Sequence, residues 1–472
     1  MARGPVERKS ASRVGAEILR IKPRASDSSV RWALPPSKSH LIRALALFSQ
    51  SHQKVTLDNV AHSGEDVRAM RSCLAQMGVM FEDYDSNGNI LRQGDETGFQ
   101  PHPDAVQWVL HGVGPEGFKQ PEGVLNAMNS GTALRFLAGL VARIEGSVTL
   151  DGDHSLRQRD SAAMWDSLRQ AGVEVSSAQG KEHLPVVVKG PWKKLQLEQG
   201  IDLDISRSSQ PLSSWLLASS ALPCKVQLNL IGKGVSNRHS KLTANMVRIS
   251  GSANQLESTR CSLSPWIPHS EGTYSVPGDA SMASFAMLAA SCLDTKIELS
   301  GWPQEDQAIG HEILFKSSIE CGVKWSGGIL ERIEAPHPVE LNVIDSNDIL
   351  PPLAALLSLG PGGRIIGAPH AAHKESNRLS RTVELLQFFG LRASLLDDGI
   401  EVEGGQTPTA PTHPVPTFGD HRIFMTAVLL ASKTGGDVIG QTLHHVADET
   451  FLQRLEDAGV GIEKATSPVL VD

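Results

Sequence analysis

The sequence predicts an α/β protein of two similar lobes that face each other across a cleft. Three observations support this fold class. The 472 residues are enough for two or three domains, at roughly 150 residues per domain. An amphipathic helix that ends at a glycine and leads into an apolar strand recurs six times along the chain. Each of the six units also contains a second, more apolar helix. We expect the six units to form two lobes of three.

Composition and charge exclude several classes of protein. The chain has 44 basic and 52 acidic residues, and its net charge of −8 argues against a protein that neutralises a nucleic-acid backbone. No run approaches the roughly 18 apolar residues of a membrane span, and the N-terminal stretch lacks the apolar segment of a signal peptide. We therefore expect a cytoplasmic protein with small-molecule partners, and with neither nucleic-acid nor membrane partners. Residues 1–15 are expected to form a ragged extension outside the fold.

The cysteines give no sign of a disulfide framework or a metal site. They are Cys73, Cys224, Cys261, Cys292 and Cys321. Their number is odd, they are widely spaced, and none of them forms a C-x-x-C pair. We therefore expect no metal site and interpret the cysteines as small core residues.

The first helix of each unit is amphipathic and ends at a glycine suited to the left-handed conformation of a helix C-cap. The six glycines are Gly78, Gly172, Gly251, Gly322, Gly390 and Gly459. Successive glycines are 68 to 94 residues apart, which defines a repeating unit of roughly 70 residues. The first interval is the longest because a Gly-, Asp- and Pro-rich insertion lies near residues 85–122.

The second helix of each unit is apolar on nearly every side, which is typical of a buried helix. The segments that contain it are 35–49, 129–142, 208–222, 278–290, 346–359 and 419–432. Basic side chains stand at several of the openings: Lys38, Arg43, Arg135 and Arg422. Cations near the positive end of a helix dipole are unfavourable unless an anion lies between them. We therefore expect the helix openings of both lobes to surround one site for phosphate or carboxylate groups.

The boundary between the lobes is expected near Tyr274 to Gly278, about halfway through the repeats. The first lobe comprises residues 36–276 in this prediction. The second lobe comprises residues 277–472 together with residues 16–35, whose strand returns to it. A lobe of three units has an ordinary domain size.

Six motifs at and near these openings resemble those of the enolpyruvyl transferase family, in the family's order and over nearly the whole chain. They are P-P-S-K-S-H-L-I-R (35–43), N-S-G-T-A-L-R (129–135), S-S-Q (208–210), G-D-A-S-M-A-S (278–284), H-K-E-S-N-R (373–378) and G-D-H-R (419–422). Within the family the chain resembles the branch that acts on shikimate 3-phosphate, since the amino-sugar branch has S-K-N in place of S-K-S. The resemblance implies that each lobe is a threefold βαβαββ repeat, an inside-out α/β barrel, with the active site in the cleft between the lobes.

The resemblance also implies a reaction. Members of this branch transfer the enolpyruvyl group of phosphoenolpyruvate to the 5-hydroxyl of shikimate 3-phosphate and release phosphate, a step of aromatic amino-acid biosynthesis. The resemblance implies no metal or organic cofactor, and we expect a monomer. Both substrates are polyanions, which agrees with the cations at the helix openings.

Roles for individual residues follow from the matched segments. Asp348 and Glu375 match the family's catalytic carboxylates, and Lys38 supplies positive charge that catalysis requires. The substrate-binding residues implied are Lys38, Ser39, Arg43, Asn129, Gly131, Thr132, Arg135, Ser208, Ser209, Gln210, Ser236, Asp348, Lys374, Arg378, His421 and Arg422. A further phosphate-binding cation is expected in S-L-R-Q-R-D (155–160), where Arg157 and Arg159 are both candidates. Gly131 matches the small residue that, in glyphosate-sensitive members, leaves room beside the phosphoenolpyruvate site.

Two further positions depart from the family pattern. His239 stands where many members have Tyr, and Glu449 stands where the family has a Lys that faces phosphoenolpyruvate. Glu449 either points to solvent or pairs with a cation such as Arg422, or the phosphate is held instead by Lys38 with Arg157 or Arg159. Two alternative functions therefore stay open: an enolpyruvyl transferase that uses a different alcohol acceptor, and an inactive relative that only binds phosphorylated metabolites.

Overall fold

The structure is a computed structural model that describes residues 16–25, 29–93, 99–177 and 183–467. The predicted extension, residues 1–15, lies outside these residues. The α-helices are α1 (Lys38–Phe48), α2 (Glu65–Gln76), α3 (Gly131–Val141), α4 (His154–Arg157), α5 (Ala162–Gln170), α6 (Lys194–Leu197), α7 (Gln210–Ala218), α8 (Asn237–Ile249), α9 (Ala283–Cys292), α10 (Glu312–Lys316), α11 (Leu350–Leu359), α12 (Arg378–Phe388), α13 (His421–Thr434) and α14 (Phe451–Asp457).

The strands are short, most of them four to seven residues long. They are β1 (Ala16–Lys22), β2 (Val30–Ala33), β3 (Lys54–Asp58), β4 (Met80–Tyr84), β5 (Ile90–Gln93), β6 (Gln107–His111), β7 (Leu125–Asn126), β8 (Gly146–Asp151), β9 (Glu174–Ser177), β10 (Val186–Gly190), β11 (Ile201–Asp204), β12 (Val226–Ile231), β13 (Gln255–Leu256), β14 (Arg260–Leu263), β15 (Thr273–Ser275), β16 (Ile297–Ser300), β17 (Val323–Ser326), β18 (Ile329–Arg332), β19 (Val339–Asn342), β20 (Gly363–Ile366), β21 (Ala393–Leu396), β22 (Gly399–Val402), β23 (Gly436–Ile439) and β24 (Gly461–Ser467).

The described strands form six sheets, none of which closes on itself. Five sheets share one pattern, in which a parallel pair is followed by antiparallel strands: β15-β3-β6-β4-β5, β7-β8-β10-β9, β11-β12-β14-β13, β2-β16-β18-β17 and β19-β20-β22-β21. The sixth, β23-β1-β24, is antiparallel. The repeated sequence pattern thus corresponds to a repeated sheet, and the predicted α/β class is confirmed.

Two hydrophobic cores divide the described chain. The first contains buried side chains between Leu41 and Val276, and the second contains those of 19–34 and 282–460. In the first core α1, α3 and α7 pack against one another, and in the second α9, α11 and α13 do so. Side chains alternate along the strands that cover these helices; in β12, Val226, Leu228 and Leu230 are buried while Gln227 and Asn229 between them are half-buried. The apolar helices are therefore enclosed by sheets, as their sequences predict.

The glycines predicted to end the amphipathic helices all have positive φ angles, between 70° and 105°. Side chains disfavour this conformation, so the predicted C-caps are confirmed. The helix before Gly322 is shorter than its sequence pattern suggests. It ends at Lys316 after five residues, and residues 317–322 form turns. Ser317 and Ser318 lie there, and serine side chains compete with helical backbone hydrogen bonds.

The two chain segments that link the cores run side by side. The N–H of Ser37 donates to the carbonyl oxygen of Pro277 over 2.8 Å, and the N–H of Asp279 donates to that of Pro35 over 2.8 Å. A Cβ atom at Gly278 would lie 1.9 Å from a neighbouring carbonyl oxygen, so the close approach requires glycine. These contacts bring the start of α1 next to the turn that precedes α9.

Two further sequence predictions can be compared with the structure. The five cysteines are free, and all of them are buried except the half-buried Cys224. Within the described ranges, no helix has the length and apolar character needed to cross a membrane.

Candidate active site

A cavity of about 370 Å³ lies between the two cores, where buried helices from both begin. Its walls come from the first turns of α1, α3, α7 and α8 on one side. On the other side they come from residues just before α11 and α12 and from the first turn of α13. The volume is within the usual range for a small-molecule site.

Most of the residues predicted for the site line this cavity. They are Lys38, Ser39, Arg43, Gly131, Thr132, Arg135, Arg159, Ser208, Ser209, Gln210, Ser236, Asp348, Lys374, Glu375, His421 and Arg422. Three predicted residues, Asn129, Arg157 and Arg378, are not part of the lining. The sequence analysis did not select several charged or imidazole side chains that do line it: Asp66, Asp160, Asp204, Arg207, His370 and His373. The roles of all these residues in binding stay predictions.

Some of the residues that sequence reasoning missed carried a usable signal. Arg207 directly precedes the S-S-Q motif, and His373 directly precedes Lys374 in H-K-E-S-N-R. His373 already belongs to that motif, and extending S-S-Q by one residue and H-K-E-S-N-R by three residues would have added Arg207 and His370. Asp66 carried no such signal, because an acidic residue in the first turn of α2 is ordinary at a helix N-terminus.

Side-chain caps shape two of the helix openings. The N–H of Ala133 donates to Ser130 Oγ over 3.2 Å at α3, and the N–H of Arg422 donates to Asp420 Oδ1 over 2.9 Å at α13. These caps fix the first turns from which Arg135 and Arg422 reach the cavity. The positive dipole ends of such helices favour bound anions.

Arg157 and Arg159 have different environments. Arg157 is 43% exposed and donates from Nε to Asp151 Oδ1 over 2.9 Å, outside the cavity. Arg159 is only 11% exposed and lies at the cavity wall, where its guanidinium is 3.9 Å from Glu375 Oε1. Asn129 holds it there, because Arg159 donates to the Asn129 side-chain oxygen over 2.6 Å. Of the two candidates, the fold brings Arg159 to the cavity.

Arg378 lies behind the cavity wall and joins three carboxylates. Its Nη1 donates to Asp348 Oδ1 over 2.6 Å, its Nη2 donates to Glu375 Oε2, and its Nε donates to Asp420 Oδ2 over 2.8 Å. Its side chain is 1% exposed. Burial alone would lower the pKa of Arg378, but the three carboxylates outweigh it and raise that pKa. The residue thus fixes the two predicted catalytic carboxylates in one arrangement.

Both predicted catalytic carboxylates are ionised at neutral pH. Burial favours the neutral acid, yet Lys374, Arg422 and Arg378 hold the pKa of Asp348 well below its ordinary value. Against the same burial effect, Arg378 and Arg159 hold the pKa of Glu375 well below its ordinary value. An ionised carboxylate can accept a proton, so each is equipped to act as a base.

Lys38 pairs with an aspartate that the sequence did not identify. Its Nζ donates to Asp66 Oδ2 over 2.8 Å, and the side chains are 20% and 6% exposed. Burial lowers the pKa of Lys38, but Asp66 and Glu375 outweigh that effect and raise it. Lys38 therefore remains a cation at the cavity wall.

Arg422 is a buried cation with unused donors. The residue is 3% exposed, and its Nη2 donates to Ser281 Oγ over 2.9 Å. Its Nε and Nη1 have no hydrogen-bond partner among the described residues. Because buried N–H groups are normally paired, these donors fit an anionic ligand such as carboxylate or phosphate.

A second group of side chains links α3 to α7. Arg135 donates to Gln210 Oε1, and Gln210 Nε2 donates to Thr132 Oγ1 over 2.9 Å. Gly131 lies directly beside them: a Cβ atom there would be 2.8 Å from Arg135 Nη1. Burial lowers the pKa of Arg135 to about 10, so it stays charged at neutral pH.

Arg43 lies in a polar corner of the first core. Its Nε donates to Thr243 Oγ1 over 2.7 Å, and its Nη1 donates to the carbonyl oxygen of Ser39 over 2.8 Å. Burial lowers the pKa of Arg43 to about 10. No carboxylate of the described chain forms an ion pair with it, so this cation is also available to an anion.

Three histidines that line the cavity, His239, His370 and His421, are neutral. Burial, reinforced by nearby cations, lowers the pKa of His239 and of His421 well below the ordinary value and that of His370 to about 4. Ser236 Oγ lies 3.4 Å from His370 Nε2. A neutral imidazole adds hydrogen-bonding capacity without adding charge.

Glu449 does not line the cavity. Its Oε1 is 2.6 Å from Arg68 Nη1 on α2, and the two side chains are 23% and 28% exposed. The chain comes close at this point, since a Cβ at Gly64 would lie 2.4 Å from the carbonyl oxygen of Val446. The glutamate therefore pairs with a cation of the other core, and that cation is Arg68 rather than Arg422.

The part of the chain that is described contains no group of three or more His, Cys, Asp or Glu side chains able to hold a metal ion.

The matches to known proteins cover most of the chain. A model of the family described as EPSP synthase (3-phosphoshikimate 1-carboxyvinyltransferase) matches residues 24–455. The chain belongs to the EPSP synthase family. The resemblance seen in the sequence motifs is thereby confirmed.

Relatives and solved structures of the EPSP synthase family match this chain over most of its length. A 3-phosphoshikimate 1-carboxyvinyltransferase of Korarchaeum cryptofilum is 29% identical over 94% of this chain and 99% of that protein. One of Thermococcus kodakarensis is 32% identical over 72% of this chain and 82% of that protein. The structure of an EPSP synthase from Acinetobacter baumannii matches with a TM-score of 0.72 at 21% identity and covers 95% of this chain and 100% of that chain. The mixed α/β fold is therefore the one found in EPSP synthases.

Proposed function

We infer that the protein transfers the enolpyruvyl group of phosphoenolpyruvate to the 5-hydroxyl of shikimate 3-phosphate and releases phosphate. The observation that carries this conclusion is that Asp348 and Glu375 line a cavity rich in cations and are joined by one buried guanidinium behind its wall. Membership of the EPSP synthase family supports the identity of both substrates. Such a reaction needs proton transfer beside two polyanions, and the cavity has groups for both tasks.

The charge of the cavity suits two anionic substrates. Its basic side chains are Lys38, Arg43, Arg135, Arg159, Arg207, Lys374 and Arg422, and its acidic ones are Asp66, Asp160, Asp204, Asp348 and Glu375. Asp66, Asp160, Asp348 and Glu375 are already engaged in ion pairs. The remaining positive charge is compensated when phosphate and carboxylate groups bind.

The phosphoenolpyruvate site is proposed at Lys38, Arg159, Lys374 and Arg422. The unused N–H groups of Arg422 suit a carboxylate or a phosphate, and Arg159 offers a further donor, because its Nε has no hydrogen-bond partner among the described residues. Arg159 is proposed to replace the lysine that the family has at the position of Glu449, because it supplies a cation from another element.

Shikimate 3-phosphate is proposed to bind on the side of the first core. Its phosphate faces the hydroxyl groups of Ser208, Ser209 and Ser236, and its carboxylate faces Arg43 and Ser39. Gln210, held between Arg135 and Thr132, contacts both substrates. Each of these residues lines the cavity.

Asp348 is proposed as the base in the addition step. Its carboxylate is ionised and is held by Arg378, with Lys374 Nζ at 3.7 Å from Oδ1. It takes the proton of the 5-hydroxyl as that oxygen bonds to the central carbon of phosphoenolpyruvate. A proton reaches the methylene carbon in the same step, so the adduct carries a methyl group.

Glu375 is proposed to handle the proton of that methyl group, with Lys38 nearby. Cations keep Glu375 ionised in the free protein, but bound phosphate and carboxylate groups offset those cations and raise its pKa. Glu375 then delivers its proton to carbon in the addition and recovers one when the methyl group loses it. Phosphate leaves as the carbon–oxygen bond to it breaks and takes up the proton that Asp348 accepted, so the vinyl group is restored and Asp348 is ionised again.

We further propose that the two cores belong to two lobes, residues 36–276 and residues 16–35 with 277–472. Each lobe is proposed to be a threefold inside-out barrel that moves relative to the other. The separate hydrophobic clusters and the repeated sheet pattern support this division. A monomer in the cytoplasm remains our prediction, which light scattering on purified protein and localisation in cells would check.

A phosphate-release assay with shikimate 3-phosphate and phosphoenolpyruvate tests the function. We expect phosphate release only when both substrates are present, together with a product that carries a vinyl ether by mass spectrometry and NMR. Asp348→Asn should lose most of the turnover while it retains substrate binding, and Asp397→Asn, at an exposed position, serves as the control. Release with another alcohol acceptor but not with shikimate 3-phosphate would replace this assignment by the alternative transferase. Tight binding of both substrates without release in the wild type would indicate the inactive relative.

A further inference from the structure

A second cavity, of about 520 Å³, lies in the first core and shares no lining residue with the candidate active site. One of its walls is formed by Pro115, Glu116, Phe118 and Gln120, within the insertion that lengthens the first repeat. The other walls include Arg143, Trp192 and the apolar side chains of Ile144 and Ala221. Neither the fold nor the proposed reaction explains this cavity.

The cavity lies at the far ends of two helices that open into the active site. Arg143 follows α3 by two residues, and the carbonyl oxygen of Ala218, the last residue of α7, accepts a hydrogen bond from Arg143 Nη2 over 3.0 Å. The first turns of both helices line the active site. Since α3 has 11 residues, the two cavities are separated by about 16 Å of helix.

Arg143 is a cation with no acidic partner in the described ranges. Its Nη1 donates to the carbonyl oxygen of Pro115 over 2.8 Å, and its Nε has no hydrogen-bond partner there. A guanidinium has five N–H groups, so two backbone carbonyls leave three of them unused. Burial lowers the pKa of Arg143 to about 9, which still leaves it charged at neutral pH. This half-buried guanidinium has no carboxylate to compensate its charge, and a bound anion would supply one.

Aromatic rings flank this cation. The guanidinium carbon is 5.6 Å from the ring centre of Phe118 and 5.8 Å from that of Trp192. Trp192 is itself fixed, because it stacks on Trp215 at 5.9 Å with an interplanar angle of 21°. A flat apolar group in the cavity would therefore meet a rigid indole surface next to a positive charge.

The rim of the cavity is acidic. Glu116 and Glu145 line it and are exposed to solvent. Neither forms an ion pair with Arg143. Because like charges repel, the outer end of a ligand is favoured when it is neutral or positive and disfavoured when it carries a second carboxylate.

We propose that this cavity binds a small carboxylate with a flat apolar body. The carboxylate pairs with the unused N–H groups of Arg143, and the body lies along Trp192. An amino group at the outer end faces Glu116 and Glu145. The site takes a ligand of a different shape and charge from the two polyanions of the active site.

Calorimetric titration of the full-length protein with three aromatic carboxylates tests the proposal. The probes are benzoate, 4-(aminomethyl)benzoate, which adds an outer amine, and terephthalate, which adds an outer carboxylate. We expect 4-(aminomethyl)benzoate to bind at least as tightly as benzoate and about tenfold more tightly than terephthalate. Arg143→Met should weaken benzoate binding by about tenfold or more, because a charge-assisted pair is lost. Equal binding of benzoate to wild type and Arg143→Met would overturn the proposal.

Two further variants separate this site from the active site and from folding defects. Lys38→Met removes a cation of the active site and should leave benzoate binding unchanged; loss of binding in that variant would assign the probe to the active site and overturn the proposal. The double variant Glu116→Gln/Glu145→Gln changes only exposed side chains. It should reduce the preference for 4-(aminomethyl)benzoate over terephthalate at least threefold, and an unchanged preference would refute the predicted orientation even if Arg143→Met failed to fold.

Discussion

Individual charged side chains determine which chemistry the candidate site can perform. Arg378 holds Asp348, Glu375 and Asp420 with one guanidinium, so the two predicted catalytic carboxylates stay ionised and in fixed positions. The sequence analysis expected Arg378 to bind substrate, but its fork is occupied by protein carboxylates. Its place in the fold fits a positioning residue, and the cations proposed to contact substrate are those at the cavity wall.

The first prediction concerns Lys38. We expect Lys38→Met to lower kcat about 10²- to 10³-fold, because one charge-assisted donor at the reacting groups is removed. The substitution also leaves Asp66 without its partner at a position that is 6% exposed, so a loss of stability of about 1–3 kcal/mol should accompany it. Steady-state kinetics and thermal unfolding measure the two effects. Lys194→Met, at an exposed lysine, is the matched control, and near-normal kcat in Lys38→Met would refute the role.

At the scale of secondary structure, the site is made of helix beginnings. The N-terminal parts of α1, α3 and α13 place Lys38, Arg135 and Arg422 at one cavity, and that of α7 adds Gln210, although these helices lie far apart in the chain. Each turn is compact, so side chains that share it leave little free space. A small residue at such a turn therefore leaves room in the cavity, in addition to any role in the backbone conformation.

The second prediction concerns Gly131 at the start of α3. A methyl group there would lie 2.8 Å from Arg135 Nη1 and would displace that side chain into the cavity. We expect the wild type to be inhibited by glyphosate in competition with phosphoenolpyruvate, and Gly131→Ala to raise the inhibition constant about tenfold or more with a smaller increase in KM. Inhibition kinetics at varied phosphoenolpyruvate measure this. Gly123→Ala, where the nearest atom to the added carbon is 4.0 Å away, is the control, and an uninhibited wild type at millimolar glyphosate contradicts the prediction.

The third prediction concerns the ion pair between α2 and the residues before α14. Glu449→Lys would oppose Arg68 with a like charge and weaken the contact between the two cores. We expect the KM values for both substrates to rise about two- to fivefold, as for a partly exposed pair, and the double variant Arg68→Glu/Glu449→Lys to restore them. A double-mutant cycle on KM gives the coupling. If Glu449→Lys instead lowers KM for phosphoenolpyruvate alone, the glutamate faces the substrate and the observed pairing is not the functional one.

At the scale of the whole molecule, many histidines are buried in their neutral form. Burial lowers the pKa of His40, His239, His311, His370, His421 and His444, to about 3 for His40 and His444 and to about 4 for His370. An unfolded histidine has a pKa near 6.5. Between that value and the lowered ones, the unfolded chain therefore binds more protons than the folded chain.

The fourth prediction follows from this difference. Stability should be greatest above about pH 6.5 and should fall steadily as the pH decreases toward 4. Below about pH 4.5 the depressed pKa values of Asp348 and Glu375 add a loss in the same direction, because the unfolded carboxylates protonate first. Calorimetric melting temperatures from pH 7.5 to 4.5 measure the effect. His444→Phe, which keeps a ring next to Phe424, should flatten the dependence, and a melting temperature constant over this range would exclude the mechanism.

The repeated fold could be predicted from sequence because its signals are local. A glycine such as Gly172 or Gly390 ends an amphipathic helix wherever the chain needs a positive φ, and apolar residues on every side of a helix report burial directly. The one helix predicted too long, before Gly322, fails for an equally local reason, the serines that follow Lys316. The motifs then indicated the family to which the chain belongs.

The helix openings, their cations, the two predicted catalytic carboxylates and the family could be predicted from the amino-acid sequence alone. Which of these groups meet depends on the packing of the chain. Packing brings Arg159 rather than Arg157 to the cavity, places Arg378 behind Asp348 and Glu375, and pairs Lys38 with Asp66. It also pairs Glu449 with Arg68 from the opposite end of the chain. Helix ends and buried helices depend mainly on residues that are neighbours in the sequence. An ion pair or a cavity depends instead on distances between elements that are far apart in the chain and that only packing brings together.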